Sequence, residues 1–208
     1  PLDTLFKSHY LIADFSFKSL TENEGFHLNR VRVRNAQLNL VLEDGNNGED
    51  DITNNLTRIF RLDKLKKKEV TDKEIFMIRN VDIENFTFLM KNYTSDKTPF
   101  YGGINWNDLD VRQIDVDAKN LRFKGGIMTG AVTDMHFVEK SGYLCTSLTG
   151  RARVGKGLTL INDFLLEDPW SIISMPEGRM IYDNIKAFSD YIHKVTMDVD
   201  LGKSIVDF

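Results

Sequence analysis

Two stretches of this chain come close to nucleotide-binding chemistry. Gly150-Arg151-Ala152-Arg153-Val154-Gly155-Lys156-Gly157 nearly fits the phosphate-binding pattern G-x-x-x-x-G-K-[ST]. That loop needs a hydroxyl for magnesium at its last position and a helix directly after it. Gly157 supplies no hydroxyl, and Leu158-Thr159-Leu160-Ile161 alternates like a strand. A hairpin turn is the better reading. Gly202-Lys203-Ser204 has the hydroxyl, but Met197 stands where the first glycine belongs. Asp44-Gly45-Asn46-Asn47-Gly48-Glu49-Asp50-Asp51 is rich in oxygen ligands. An EF-hand loop needs glycine at position six and glutamate at twelve. Counted from Asp44, those positions hold Glu49 and Asn55, so a polar hairpin loop is the default.

Catalytic patterns are equally thin. The single cysteine, Cys145, excludes an intrachain disulfide framework and a cysteine zinc cluster. It lies in an apolar run and reads as a small core residue. His9, His27, His136 and His193 form no H-x₃₋₅-H pair, and no G-x-S-x-G elbow is present. Most acidic residues alternate with apolar ones, as at Asp108, Asp110, Asp115 and Asp117, which places them on the wet face of a strand. Nothing singles out a glycosidase pair. No catalytic residue, metal ligand or cofactor site is expected. Phe100, Tyr101 and Trp106, in Pro99–Leu109, could stack on sugar rings as a glycan platform. A structural cap on one end of a sheet is the favoured reading of the same residues.

The elements that must position any site are strands. The 208 residues are 41% hydrophobic and 28% charged, too apolar for disorder. A net charge of −4 argues against nucleic acid as a partner. No apolar run approaches the 18 or so residues of a transmembrane helix. Leu11 to Lys18 is apolar at odd positions, and so is Val31-Arg32-Val33-Arg34. After Asn35 the apolar set moves to even positions: Ala36, Leu38, Leu40, Leu42. A parity jump flips side chains to the other face unless an extra residue restores them, so Asn35 is expected to be a bulge.

The pattern recurs. Val81-Asp82-Ile83-Glu84-Asn85-Phe86-Thr87-Phe88 repeats Val31 to Leu38 position for position. Leu109-Asp110-Val111-Arg112-Gln113-Ile114-Asp115-Val116 matches again, with Gln for Asn. Unequal spacings of 50 and 28 residues exclude a strict solenoid. Similar amphipathic strands arising independently would look the same. Further strands are expected at 121–124, 127–138, 144–154, 158–166, 171–175, 178–183 and 195–201, punctuated by glycine turns.

Helical spacing at Ile52, Leu56, Ile59 and Phe60 predicts a short amphipathic helix over about 51–62. Ile185, Phe188, Tyr191, Ile192 and Val195 predict another over about 184–195. The organisation expected is a single β-rich segment over 1–208. It has a first strand block at 1–63, a charged linker at 64–74 and a main β-sheet region at 75–208. The chain opens Pro1-Leu2-Asp3, and its last residues still alternate like a strand. It reads as a piece of a longer protein.

Several segments carry a family resemblance. They are Phe100 to Val111, Ala118-Lys119-Asn120-Leu121-Arg122-Phe123, Gly126-Ile127-Met128-Thr129-Gly130, and Leu166-Glu167-Asp168-Pro169-Trp170-Ser171 followed by Met175-Pro176. In this order they resemble the TamB/AsmA-like translocation and assembly proteins of Bacteroidetes. The resemblance is best over about 78–195 and weaker over 1–77. It implies a periplasmic location, with the parent protein anchored in the inner membrane of a Gram-negative bacterium. It implies an extended curved antiparallel β-sheet (a β-taco or open half-barrel) with the two short helices packed on it. The implied work is outer-membrane biogenesis without enzymatic chemistry: phospholipid transport along an apolar groove, or scaffolding of outer-membrane protein assembly. The implied partners are a phospholipid or other acyl-chain ligand and an outer-membrane β-barrel partner of the full-length protein. The inner-membrane anchor and the C-terminal TamB domain are not in this sequence, so barrel docking does not carry over to it.

A sheet with one apolar face must cover that face. An acyl chain carried bare through water costs on the order of 0.8 kcal/mol per CH₂, about 12 kcal/mol for sixteen carbons. An apolar trough removes most of that cost. Its expected lining is Val31, Val33, Ala36, Leu38, Leu40, Val81, Ile83, Phe86, Phe88, Met90, Leu109, Val111, Ile114 and Val116. The same residues could form a closed sandwich core instead. A glycan-binding β-sandwich module is the alternative function.

Overall fold

The computed structural model describes residues 4–15, 25–44, 52–55, 74–93, 102–183 and 191–206. These residues are mainly β, in one open sheet. Its strands are β1 (Phe6–Phe15), β2 (Phe26–Asp44), β3 (Ile52–Asn54), β4 (Glu74–Asn92), β5 (Asp108–Lys124), β6 (Ile127–Glu139), β7 (Leu144–Cys145), β8 (Ser147–Gly155), β9 (Leu158–Glu167), β10 (Ile172–Tyr182) and β11 (Val195–Asp200). A single helical turn, α1 (Tyr191–Lys194), precedes β11.

The spatial order is β1-β2-β4-β5-β6-β8-β9-β10-β11, with β3 added beside β2 and β7 beside β6. β1 and β11 are the two ends of this path. Every pairing is antiparallel except β2 with β4, so the expected all-antiparallel sheet is corrected to a mixed one. A parallel neighbour needs a crossover, since a tight hairpin reverses direction.

The two expected helices are not borne out. Within 51–62, Ile52–Asn54 extends along β2, with Leu42 opposite Asn54 and Asp44 opposite Ile52. Within 184–195, only Tyr191–Lys194 is helical, and Val195 already belongs to β11. Residues 51, 56–62 and 184–190 lie outside the described residues, as does the expected linker at 64–73. Among the described residues no helix is long and apolar enough to cross a membrane.

Turn chemistry agrees with the strand boundaries. Lys156-Gly157 closes the β8–β9 hairpin, so the near-match to a phosphate loop is a turn followed by a strand. Gly157 has φ 75°, and a Cβ there would lie 2.5 Å from the Tyr182 carbonyl oxygen. Both the backbone angle and the space require glycine. Beyond β11 the chain returns to β10. Ile172 and Ile205 exchange backbone hydrogen bonds of 2.7 and 2.8 Å, and Ser204 Oγ accepts from the Ser174 amide at 3.0 Å.

Candidate functional site

Hydrogen-bonded register brings the expected groove residues together. Residues directly opposite one another in a ladder project to the same face. Val31, Val81 and Ala118 form one row across β2, β4 and β5. Val33, Ile83 and Val116 form the next, then Ala36, Phe86 and Ile114. Leu38, Phe88 and Val111 follow, and Leu40, Met90 and Leu109 complete the set. All fourteen expected positions therefore fall in five successive rows.

The rows also take in residues of β1 and β6, which the expected lining does not include. β1 adds Ala13 opposite Val31, Leu11 opposite Val33 and Phe6 opposite Leu38. β6 adds Val132 opposite Ala118 and Met135 opposite Val116. Two more rows lie toward the start of β2: Leu28 with Ile78 and Leu121, and Phe26 with Phe76 and Phe123. Phe76 and Phe123 stack with centroids 6.0 Å apart.

The fifty-residue repeat is a physical register. Segments 31–38 and 81–88 are parallel neighbours, each residue except Asn35 paired in register with its own copy. Asn35, Asn85 and Gln113 have φ of 49°, 51° and 50°, in the left-handed region where Asn is tolerated among non-glycine residues. Between β4 and β5 the register slips on either side of Phe86, as one extra residue on each strand requires. Two successive residues are exposed at each of these points: Arg34-Asn35, Glu84-Asn85 and Arg112-Gln113. The residues on either side of each pair are buried or half-buried. The parity jump seen at Asn35 is thus a crease running across three strands.

The opposite face is charged. Arg32 pairs with Asp82 at 3.8 Å and Arg34 with Glu84 at 3.0 Å, both across the parallel β2–β4 ladder. His136 Nε2 lies 2.8 Å from Asp115 Oδ2. These polar pairs keep one side of the sheet wet and leave the apolar side distinct.

How much of the apolar face is covered varies along it. β4 has strands hydrogen-bonded on both sides, yet none of its nineteen residues is buried. Val33, Ala36, Leu109 and Ile114 are buried, and the other expected groove residues are half-buried. A closed sandwich would bury the middle strand most. Coverage is greatest at the β6–β7 corner. Cys145 is 0% and Glu139 2% exposed, and the Phe137 and Tyr143 rings lie 6.1 Å apart.

Glu139 ends the Leu38–Phe88–Val111 row and was not foreseen from sequence. Its Oε2 accepts from the Ser141 amide at 2.7 Å, and its Oε1 has no hydrogen-bond partner among the described residues. Burial pushes its pKa up. The Ser141 hydrogen bonds, with help from Asp110 and the Lys140 charge, outweigh this and hold it below the usual value. Nearby Asp108 is likewise lowered, first by its hydrogen bond to Lys140 and against burial, then by Lys91. Burial, Asp168 and Asp134 raise the Cys145 thiol against a lowering backbone hydrogen bond at Ser147, which fits a packing residue.

Of the alternative aromatic platform, only Trp106 lies among the described residues. Trp106 stands in the turn before β5 and is 70% exposed, whereas Phe100 and Tyr101 lie outside the described residues. No group of three or more His, Cys, Asp or Glu side chains among the described residues is placed to hold a metal ion. No family model, no curated protein and no solved structure matches this chain.

Proposed function

We propose that this chain is a non-enzymatic acyl-chain carrier, its sheet bent into an open trough of the taco or half-barrel kind. The ligand class is phospholipid or another molecule with long alkyl chains. The setting is the periplasm, in outer-membrane biogenesis, within a larger protein held at the inner membrane. Scaffolding of outer-membrane protein assembly, with an outer-membrane barrel as partner of the full-length protein, belongs to the same reading.

One observation carries the proposal: β4 lies in the interior of the sheet, carries five rows of apolar side chains, and buries none of them. Burying apolar surface contributes about 25 cal/mol per Å². A face this long is therefore stabilised by whatever covers it. β4 runs for nineteen residues, roughly 60 Å of extended strand, which suits extended alkyl chains better than a compact ligand. The crease at Asn35, Asn85 and Gln113 supports the bend. Two successive outward residues belong on the convex side, which leaves the apolar rows inside.

Lipid extraction of protein purified without harsh detergent tests the proposal. Phospholipid or fatty acid should co-purify, and Phe88→Asp should lose it while remaining folded. Protein free of lipid that binds a glycan through Trp106 would favour the sandwich-module alternative and defeat the trough.

A further inference from the structure

The two ends of the trough differ in charge. At one end lie the Gly125-Gly126 turn, the Lys156-Gly157 turn, and the starts of β2 and β4. Arg122, Lys124 and Lys156 line a depression there of about 260 Å³, with Gly125, Ile127 and Thr129. Arg153 is opposite Thr129 on β8, in the row that includes Arg122. The carboxylate Glu74 is already engaged by Arg122 and by His27 at 2.6 Å. Among the described residues no carboxylate pairs with Lys124, Lys156 or Arg153. At the opposite end Lys91 and Lys140 are matched: Asp108 takes Lys91 at 3.2 Å and Lys140 at 2.7 Å.

The cationic end also exposes large apolar side chains. Phe26 is 61%, Ile75 56% and Ile181 44% exposed. Phe26 meets Phe15 edge to face, with ring centroids 5.8 Å apart. Cations without a carboxylate partner among the described residues, at the same end as exposed aromatic and aliphatic groups, match the two requirements of an anionic bilayer surface: charge for the phosphates and apolar tips for the interface. A nucleic acid would use the cations and leave Ile75 and Ile181 in water.

We propose that this end of the sheet, around Lys124, Lys156, Phe26 and Ile75, docks against an anionic phospholipid surface. It aligns the Phe26–Phe76–Phe123 row, where the apolar rows run out, with the bilayer. The direction of docking rests on the trough reading; the residues that dock do not.

Vesicle co-sedimentation tests it, using phosphatidylcholine vesicles with and without an anionic share of phosphatidylglycerol. Binding should require phosphatidylglycerol and weaken with salt. Each lysine at such a surface contributes about fivefold, so K124E/K156E should reduce partitioning on the order of thirtyfold or more. Both side chains are exposed, and circular dichroism should show the fold retained. Phe26→Ser should weaken binding without changing its salt dependence. Lys140→Glu, at the opposite end, should have little effect. Phe88→Asp should abolish lipid retention in the trough and leave vesicle binding intact, so the two readings fail separately. Equal binding to neutral vesicles overturns the docking surface. So does no vesicle binding, or binding to duplex DNA or RNA in its place.

Discussion

The side-chain amide of Asn85 donates a 2.7 Å hydrogen bond to the side-chain oxygen of Asn35, fifty positions earlier in the chain. Both residues are left-handed and both are exposed. The pair fixes the crease on β2 and β4 at the same level, and the Asp115 carboxylate accepts from the Asn85 backbone N–H to carry it onto β5. A left-handed residue with a Cβ costs about 1–2 kcal/mol, more if β-branched. Asn85→Val, β-branched and without the Asn35 hydrogen bond, should therefore destabilise the chain by about 1–2 kcal/mol or more, although no buried surface is lost. Asn85→Gly should stay within about 1 kcal/mol of the parent, since relief of strain offsets the lost hydrogen bond. Urea midpoints check this; a valine variant as stable as the glycine variant would contradict it.

Glu139 should make the fold sensitive to acid. Its pKa is lowered in the fold from an ordinary 4.5. A carboxylate depressed in the folded state contributes stability that is fully present above its unfolded pKa and is lost as pH falls through the folded one. The contribution should be complete above pH 4.5 and decline below it. Asp108, lowered from 3.8, adds to the trend at somewhat lower pH. Glu139→Gln should lower stability at neutral pH and flatten the acid limb. Denaturation midpoints between neutral and acid pH measure this, and an unchanged acid limb in the glutamine variant would refute it.

Much of the architecture was legible because alternation reports burial directly. The parity jump at Asn35 marked a backbone position with φ 49°, and the repeated template marked neighbouring strands. Alternation does not say which strand lies beside which. The parallel β2–β4 pairing was therefore missed, although the exact fifty-residue repeat is what such a register looks like in sequence. The expected division into strands at 171–175 and 178–183 does not hold, since β10 runs through. The ladder with β9 passes from Met175↔Phe164 to Glu177↔Asn162, so Pro176 sits opposite the left-handed Asp163 where no pair is formed. Ile52 and Thr53 are β-branched and suit an added strand as well as a helix, so periodicity over a few residues misled. Glu139 was invisible because a strand-terminal glutamate looks solvated until the Tyr143–Cys145 turn folds over it.

Cys145 should behave as packing. It is fully buried and its thiol is raised, so it presents little thiolate to a reagent. Labelling by a thiol-reactive disulfide should be slow in the native chain and fast in denaturant. Native labelling at the rate of a free thiol would show that the β6–β7 corner opens.

The central claim is that alkyl chains lie on the face bearing Phe88 and Ile83, not on the face bearing Glu84 and Arg112. A photo-crosslinking amino acid placed at each of these four positions in turn tests this most directly, in protein purified with its lipid or loaded with phospholipid vesicles. The account predicts lipid adducts on illumination at positions 83 and 88 and none above background at 84 and 112. Adducts at equal yield on both faces, or none at position 88 in folded protein, would contradict it.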